Sequence, residues 1–303
     1  MLVSTFHQYI FCMKVELRLF LFFIFLFLLN APLLLSAQET NIFDIAKYGN
    51  SNDIIKLLKR GIDINSRNEL GETPLMLASE YNNDPDVIIT LIKNGANINK
   101  RDIYGLNAIL KAAAYSNIPQ IIDILVKNGA NINDIDRHGT TVLMYAILYN
   151  DNPDIIKTII GLGANINKKD SFGYSALMYG AAANSDPDII EILIKSGANI
   201  NDRDQNGITP LFFSAANNKN PDILELLIKY GANVNATDNY GRTPLMAATN
   251  NINPEILLVL LEEGADVTIM DKNGLNILDY IEAKPMLKNT PVYLKIKKML
   301  YTQ

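Results

Sequence analysis

Glycine recurs at a fixed step along most of this chain, and that step restricts the fold to a stack of like units. Gly95, Gly129, Gly163, Gly197 and Gly231 lie 34 residues apart, and each opens the phrase Gly-Ala-Asn-Ile-Asn or its Val variant. Gly61-Ile62-Asp63-Ile64-Asn65 is a degenerate first copy, and Gly264-Ala265-Asp266-Val267 closes the series after an interval of 33. A second series, Gly71, Gly105, Gly139, Gly173, Gly207, Gly241 and Gly274, keeps the same step, again with a last interval of 33. Two registers held in phase mean a repeat architecture, in which each unit buries its apolar face only against its neighbours.

One unit, residues 204–237, can be read physically. Asp204-Gln205-Asn206-Gly207 is a turn whose glycine supplies the positive φ that other residues resist. Thr209 caps a first helix and Pro210 opens it, with Leu211, Phe212, Ala215 and Ala216 at helical spacing. Asn217 to Asn220 break it, and Asn220-Pro221 opens a second helix with Ile223, Leu224, Leu226, Leu227 and Ile228 as its apolar stripe. Gly231 ends that helix, and Ala232-Asn233-Val234-Asn235 runs out to the next turn. The expected fold class is an all-α repeat solenoid of stacked helix-turn-helix units joined by hairpin-like turns.

At this point the chain closely resembles the ankyrin-repeat family. The phrase of turn, Gly and Thr-Pro-Leu stands at Gly71-Glu72-Thr73-Pro74-Leu75, Gly207-Ile208-Thr209-Pro210-Leu211 and Gly241-Arg242-Thr243-Pro244-Leu245, with weaker lettering at Gly105 and Gly173. The resemblance covers residues 41–303 and implies an ankyrin array with an N-terminal cap over 41–67 and a C-terminal cap over 271–303. Between them it implies repeats over 68–101, 102–135, 136–169, 170–203, 204–237 and 238–270. Family repeats usually have 33 residues; here the extra residue is placed between the helices, before Pro85, Pro119, Pro153, Pro187 and Pro221, and is absent before Pro254. Met76, Leu110, Met144, Met178, Phe212 and Met246 replace the family histidine that links repeats, so apolar packing is expected there. The heavy use of Asn, Ile and Lys resembles ankyrin proteins of bacteria.

Composition matters most at the N-terminus. Leu19 to Leu29 are all Leu, Phe or Ile, which inflates an apolar fraction of 49%. Lys14 and Arg18 precede this block and Ser36-Ala37 follows it, the pattern of a secretory signal over residues 1–37 with translation starting at Met13. Export to the periplasm or the exterior is the expectation. Two features keep a membrane-anchored alternative open: Leu35 is large for a residue near a cleavage point, and Leu17 to Leu35 nearly reaches bilayer length. Cys12, the single cysteine, lies upstream of the apolar block, so the mature chain over 38–303 would hold no disulfide.

The net charge is −5; Lys14 and Arg18 against Glu16 leave +1 in the first 37 residues, so the remainder carries −6. A mildly acidic body does not suit phosphate neutralisation, and nucleic acid is discounted as a partner. No catalytic constellation is visible: the histidines are His7 and His138, and no zinc-ligand cluster or phosphate-binding glycine phrase occurs. Asp84 with Asp86, and Asp186 with Asp188, flank prolines where acid complements a helix N-terminus. No enzyme activity, cofactor or metal is expected.

What remains is binding. The resemblance implies that a protein partner is gripped by turn tips and by the concave face of the first helices. Mapped residue by residue, the tips give Tyr104, His138, Phe172 and Tyr240; positions after the turn glycine give Leu106, Tyr174 and Arg242; late first-helix positions give Tyr115 and Tyr149. Large aromatic side chains commonly dominate interface energy. The alternatives are that these residues are ordinary turn lettering and that the tyrosines pack between repeats. The chain is expected to be a monomer with one protein partner of unknown identity.

Overall fold

Thr-Pro and Asn/Asp-Pro pairs open most helices of the repeat region, and Asn107, Thr141 and Ser175 open others without a proline. The computed structural model describes residues 41–184 and 186–301. The signal segment read over residues 1–37, its start at Met13 and its alternative as an anchor lie outside the described residues. From Ile42 onward the chain is one compact unit. It pairs α1 (Ile42–Tyr48) with α2 (Ser51–Lys59), α3 (Pro74–Tyr81) with α4 (Pro85–Lys93), and α5 (Ala108–Tyr115) with α6 (Pro119–Lys127). The series continues with α7 (Val142–Tyr149) and α8 (Pro153–Gly161), α9 (Ala176–Ala183) and α10 (Pro187–Lys195), and α11 (Pro210–Asn217) and α12 (Pro221–Lys229). It ends with α13 (Pro244–Ala248) and α14 (Glu255–Glu262), then α15 (Ile277–Glu282) and α16 (Pro291–Tyr301). Among the described residues no helix is long and apolar enough to cross a membrane.

Helix starts follow local chemistry. Thr73, Asn107, Thr141, Ser175, Thr209 and Thr243 each accept from the N–H three residues on. Asp84, Asn152, Asp186 and Asn220 cap the second helices through the N–H two residues on, so the paired acids belong to helix starts. Met76, Met144 and Met178 are buried, and their Sδ atoms each accept the N-cap backbone N–H at 3.4 Å. These methionines therefore pack as expected and also take a polar role.

The extra residue sits elsewhere than the sequence implied. The interval from Asn82, Ser116, Asn150, Asn184 or Asn218 to the next helix proline is the same as from Asn251 to Pro254. Asn251 also repeats the bonds of Asn218, its Nδ2 donating to Ala215 and Asn218 carbonyls at 2.9 and 2.7 Å. The last copy is instead short within its first helix: α13 ends at Ala248, whereas α11 runs to Asn217. The connecting segment is held constant because its asparagine is a structural rung.

That rung joins repeats. Asn218 Nδ2 donates to the Ala181 and Asn184 carbonyls at 2.9 and 2.8 Å, and its Oδ1 accepts the Asn220 N–H at 3.0 Å. Asn150 and Asn82 do the same two and four repeats earlier in the array. A second ladder explains the Gly-Ala-Asn-Ile-Asn phrase. The last Asn of one copy donates to the glycine carbonyl of the next and accepts from its first Asn, as Asn167 does with Gly197 and Asn199 at 2.9 Å each. At the turn bases Arg101, Lys169 and Arg203 reach the carbonyls of Ile135, Arg203 and Thr237 in the following repeat.

The core lies in two rows. First helices pack on first helices and second helices on second helices. Small residues permit the closer row: Ala78, Ala112, Ala146 and Ser214 are fully buried at equivalent positions. At Gly180, the matching position in α9, an added Cβ would stand 2.7 Å from Ile190 Cδ1. Volume added here has nowhere to go. Ala112→Leu and Ala146→Leu should each lower stability by about 1–3 kcal/mol through overpacking, read as a lower urea midpoint; an unchanged midpoint would mean that the first helices are packed differently.

Candidate protein-binding face

From Asp102 onward one carboxylate per repeat builds the face where turns meet first helices, and Asn68 Oδ1 takes its place in the first repeat. Asp102, Asp136, Asp170, Asp204, Asp238 and Asp271 are the first turn residues, and Oδ1 of each accepts backbone N–H groups two and four residues on. Those two donors are the tip residue and the residue after the glycine, the columns that hold most of the predicted contact residues. Glycine is required between them: Gly173 has φ +84°, and a Cβ there would stand 3.0 Å from the Gln205 backbone nitrogen.

The other carboxylate oxygen turns to the first helix. Tyr145 Oη donates to Asp136 at 3.0 Å, Tyr179 to Asp170 at 2.6 Å and Tyr280 to Asp271 at 2.8 Å, each nine residues on. Lys111 holds the corresponding place opposite Asp102, at 3.5 Å. Phe213 holds it opposite Asp204 and brings no hydroxyl. The sequence reading passed over this column. Its signal was the spacing Asp-x8-Tyr at 136/145, 170/179 and 271/280.

Aromatic rings then join across repeats. His138 stacks on Phe172 at 6.3 Å between centroids, and Phe172 on Tyr174 at 5.9 Å. Tyr174 meets Tyr179 and Phe213 edge-on at 5.6 and 5.3 Å, favourable geometries for aromatic pairs. A second group joins Tyr115, Tyr149 and Tyr145, with centroids 6.0 and 5.8 Å apart. Tyr115 and Tyr149 line a cleft of about 460 Å³ together with Asn117, Asp151 and Asn152. Arg242 stands over the Tyr240 and Phe212 rings at 5.2 and 5.8 Å and bonds Asp238 through Nε at 2.8 Å.

The predicted residues thus divide. His138, Phe172 and Tyr174 form one ring run, Tyr115 and Tyr149 another, and Tyr240 with Arg242 a third group. Tyr104, 61% exposed, belongs to none of these ring contacts, and Leu106 is half-buried beside it. Phe172 and Tyr240 keep 39% and 47% of their surface exposed, while Tyr115, Tyr149 and Tyr174 are half-buried. Packing between repeats and exposure on the face coexist in these residues.

At the N-terminal side of the face Lys111 is buried among acids, with Nζ 2.6 Å from Glu72, 2.9 Å from Glu80 and 3.5 Å from Asp102. Burial alone would raise the Glu72 carboxyl, but the charge and hydrogen bond of Lys111 outweigh it and hold it below its ordinary range. Lys111 is in turn held above its ordinary range: burial opposes its charge, and Glu80 and Glu72 overcome that. Burial, then the negative charge of Glu80, pushes the Tyr115 phenol up to about 12. Burial, then Asp204 and Asp170, does the same for Tyr174. Among the described residues no group of three or more His, Cys, Asp or Glu is placed to hold a metal ion.

Paired helices stacked by inter-repeat ladders, with turns projecting beside the first helices, define a helical repeat protein with a lateral face built from turn and first-helix residues. The sequence matches the family described as Ankyrin repeats (3 copies) over residues 25–102, 42–136, 79–170 and 177–271. The chain belongs to the ankyrin repeat family. Its fold is similar to the crystal structure of the human ASB11 ankyrin repeat domain, with a TM-score of 0.65 and 18% identity, covering 75% of this chain and 99% of that one. No curated protein matches the sequence significantly. Ankyrin repeats generally act as protein–protein interaction scaffolds, and the fold is typically non-catalytic.

The Lys111 cluster makes a prediction whose sign is fixed. A Glu72 carboxyl depressed in the folded state stabilises above its ordinary value of 4.5 and loses that contribution as pH falls through the depressed one. Lys111→Met leaves buried acids unneutralised and should cost about 3–5 kcal/mol at pH 7. In that variant burial raises Glu72, so acidification from pH 7 towards 5 should restore stability, whereas the parent protein gains nothing there. Denaturant midpoints against pH read this; parallel curves for both proteins would contradict it.

Proposed function

We propose that this chain is a non-catalytic scaffold that works outside the cytoplasm and holds one protein partner along its turn tips and first-helix face. The observation that carries the reading is the ring run across neighbouring repeats, His138–Phe172–Tyr174 with Tyr115–Tyr149 beside it. Exposed or half-buried aromatics on a rigid frame offer large contact area at low ordering cost. Export is supported by the apolar block from Leu19 to Leu29 behind Lys14 and Arg18 and before Ser36-Ala37. The near-span length from Leu17 to Leu35 favours a second reading, an envelope-structural or protective protein held by an uncleaved N-terminal anchor.

The test is a pull-down from fractionated source cells, comparing the protein with a Tyr149→Ala, Phe172→Ala, Tyr174→Ala variant, with N-terminal sequencing of the recovered chain. A partner recovered with a trimmed, exported chain and lost in a folded variant is the expected result. A partner retained by the variant would remove the face from the account. An intact N-terminus in the membrane fraction with no partner would replace the scaffold by the anchored reading.

A further inference from the structure

Charge changes sign over the C-terminal cap. From Ala283 to Gln303 stand Lys284, Lys288, Lys295, Lys297 and Lys298, with no Asp or Glu among them. The whole chain carries −5, residues 1–37 carry +1 and this segment carries +5, which leaves −11 on residues 38–282. The cap at the other end of the array lacks this bias. There Lys47, Lys56, Lys59, Arg60 and Arg67 alternate with Asp44, Asp53 and Asp63, and Lys56 pairs with Asp53 at 2.8 Å.

Helical spacing divides the apolar residues of the basic segment. α16 buries Val292 and Ile296, four apart. Leu294 and Tyr301, seven apart, share the opposite line at 57% and 73% exposure, with Lys298 between them and Lys295 and Lys297 on the flanks. Met286, in the turn before α16, is 80% exposed, and Lys288 is exposed as well. Acids meet this helix at the edges of that line: Lys295 Nζ stands 3.7 Å from Glu262, and Glu282 accepts the Tyr293 hydroxyl at 3.3 Å. Lys297 Nζ lies 5.6 Å over the Tyr293 ring. The remaining acids of the cap are held within it, Asp271 by the Tyr280 hydroxyl and Asp279 by the Asn276 N–H.

An exposed apolar line flanked by lysines suits a helix lying in a bilayer interface. The apolar side chains enter the acyl boundary while lysine stems extend their charges to the headgroups. We propose that the C-terminal cap docks on an anionic lipid surface, with Leu294 and Tyr301 entering the interface and Lys288, Lys295, Lys297 and Lys298 facing lipid phosphates. Charge decides the orientation, because the same surface repels the −11 carried by residues 38–282. An acidic protein segment would pair with the lysines, but it would leave the apolar side chains between them without a role. The contact is interfacial and does not cross: the 11 residues of α16 rise about 16 Å, against a bilayer core of about 30 Å. This proposal does not rest on the binding role of the first-helix face.

The chain contains no tryptophan, so a single introduced one reports its own surroundings. The full chain carrying Tyr301→Trp is mixed with vesicles of phosphatidylcholine alone, or of equal parts phosphatidylcholine and phosphatidylglycerol. Expected with the anionic vesicles is a blue-shifted emission protected from acrylamide. It should be absent with neutral vesicles and lost at about 1 M salt, where charges reach only about 3 Å. Adding Lys288→Gln and Lys297→Gln, both at exposed positions, should raise the lipid concentration that gives half the shift roughly tenfold or more. Ile252→Trp, at a position 71% exposed in a connecting segment, should report water throughout. Insertion of the apolar block from Leu19 to Leu29 would capture the chain without shifting position 301, so the two routes to a membrane are separable. Capture with position 301 still in water, an equal shift on neutral vesicles, or full affinity in the lysine variant would each overturn the proposal. A polyglutamate peptide that shifts position 301 where anionic vesicles do not would replace the lipid surface by an acidic protein segment.

Discussion

Everything in this protein depends on each inner first helix being covered on both sides by the first helices of its neighbours. Ala112 and Ala146 have no exposed surface, and an added carbon at Gly180 would collide with Ile190. A single unit cannot provide such burial for itself, so the array is stable only as a stack. The buried asparagines reinforce the stack at fixed height, since Asn150 and Asn218 satisfy carbonyl groups of the preceding repeat that would otherwise be orphaned. Stacking also fixes the spacing of the turns, and with it the spacing of any groups that the turns carry.

The turn carboxylates give this frame its lateral face. One oxygen holds the backbone of the tip and of the residue after the glycine; the other holds a side chain, of the first helix at Asp102, Asp136, Asp170 and Asp271 and of the turn itself at Asp204 and Asp238. Side chains on the face can therefore vary while their positions do not. In one repeat the partner of the carboxylate is a tyrosine, in another a lysine shared among three acids, in another an arginine. A rigid frame with a variable column suits recognition better than catalysis, which needs several reactive groups converging on one point.

Backbone requirements were legible in the sequence because they demand particular residue types locally. Glycine at positive φ, threonine or asparagine at a helix start and proline at the first helical position all read directly; α3, α8, α11 and α12 show cap and proline together, while α5, α7 and α9 start on a cap without proline. Contacts through space were less legible. The residue missing from the last repeat was assigned to the connecting segment, because sequence shows an interval but not which asparagine bonds the preceding repeat. The column of Lys111, Tyr145, Tyr179 and Phe213 went unread because its partner lies nine residues back, across the crook between turn and helix. Tyr104 and Phe172 looked equivalent at the tips, yet only Phe172 has a histidine ring before it and a tyrosine ring after it.

The central claim, that the first-helix face is where the partner lies, is tested most directly by site-specific photocrosslinking in the source cells. A photoreactive phenylalanine analogue at position 149, on the face, is compared with one at position 157, exposed on α8. The account predicts a light-dependent adduct to one protein species from 149 and none from 157. An adduct formed from 157, with 149 silent, would place the partner on the second helices and contradict it.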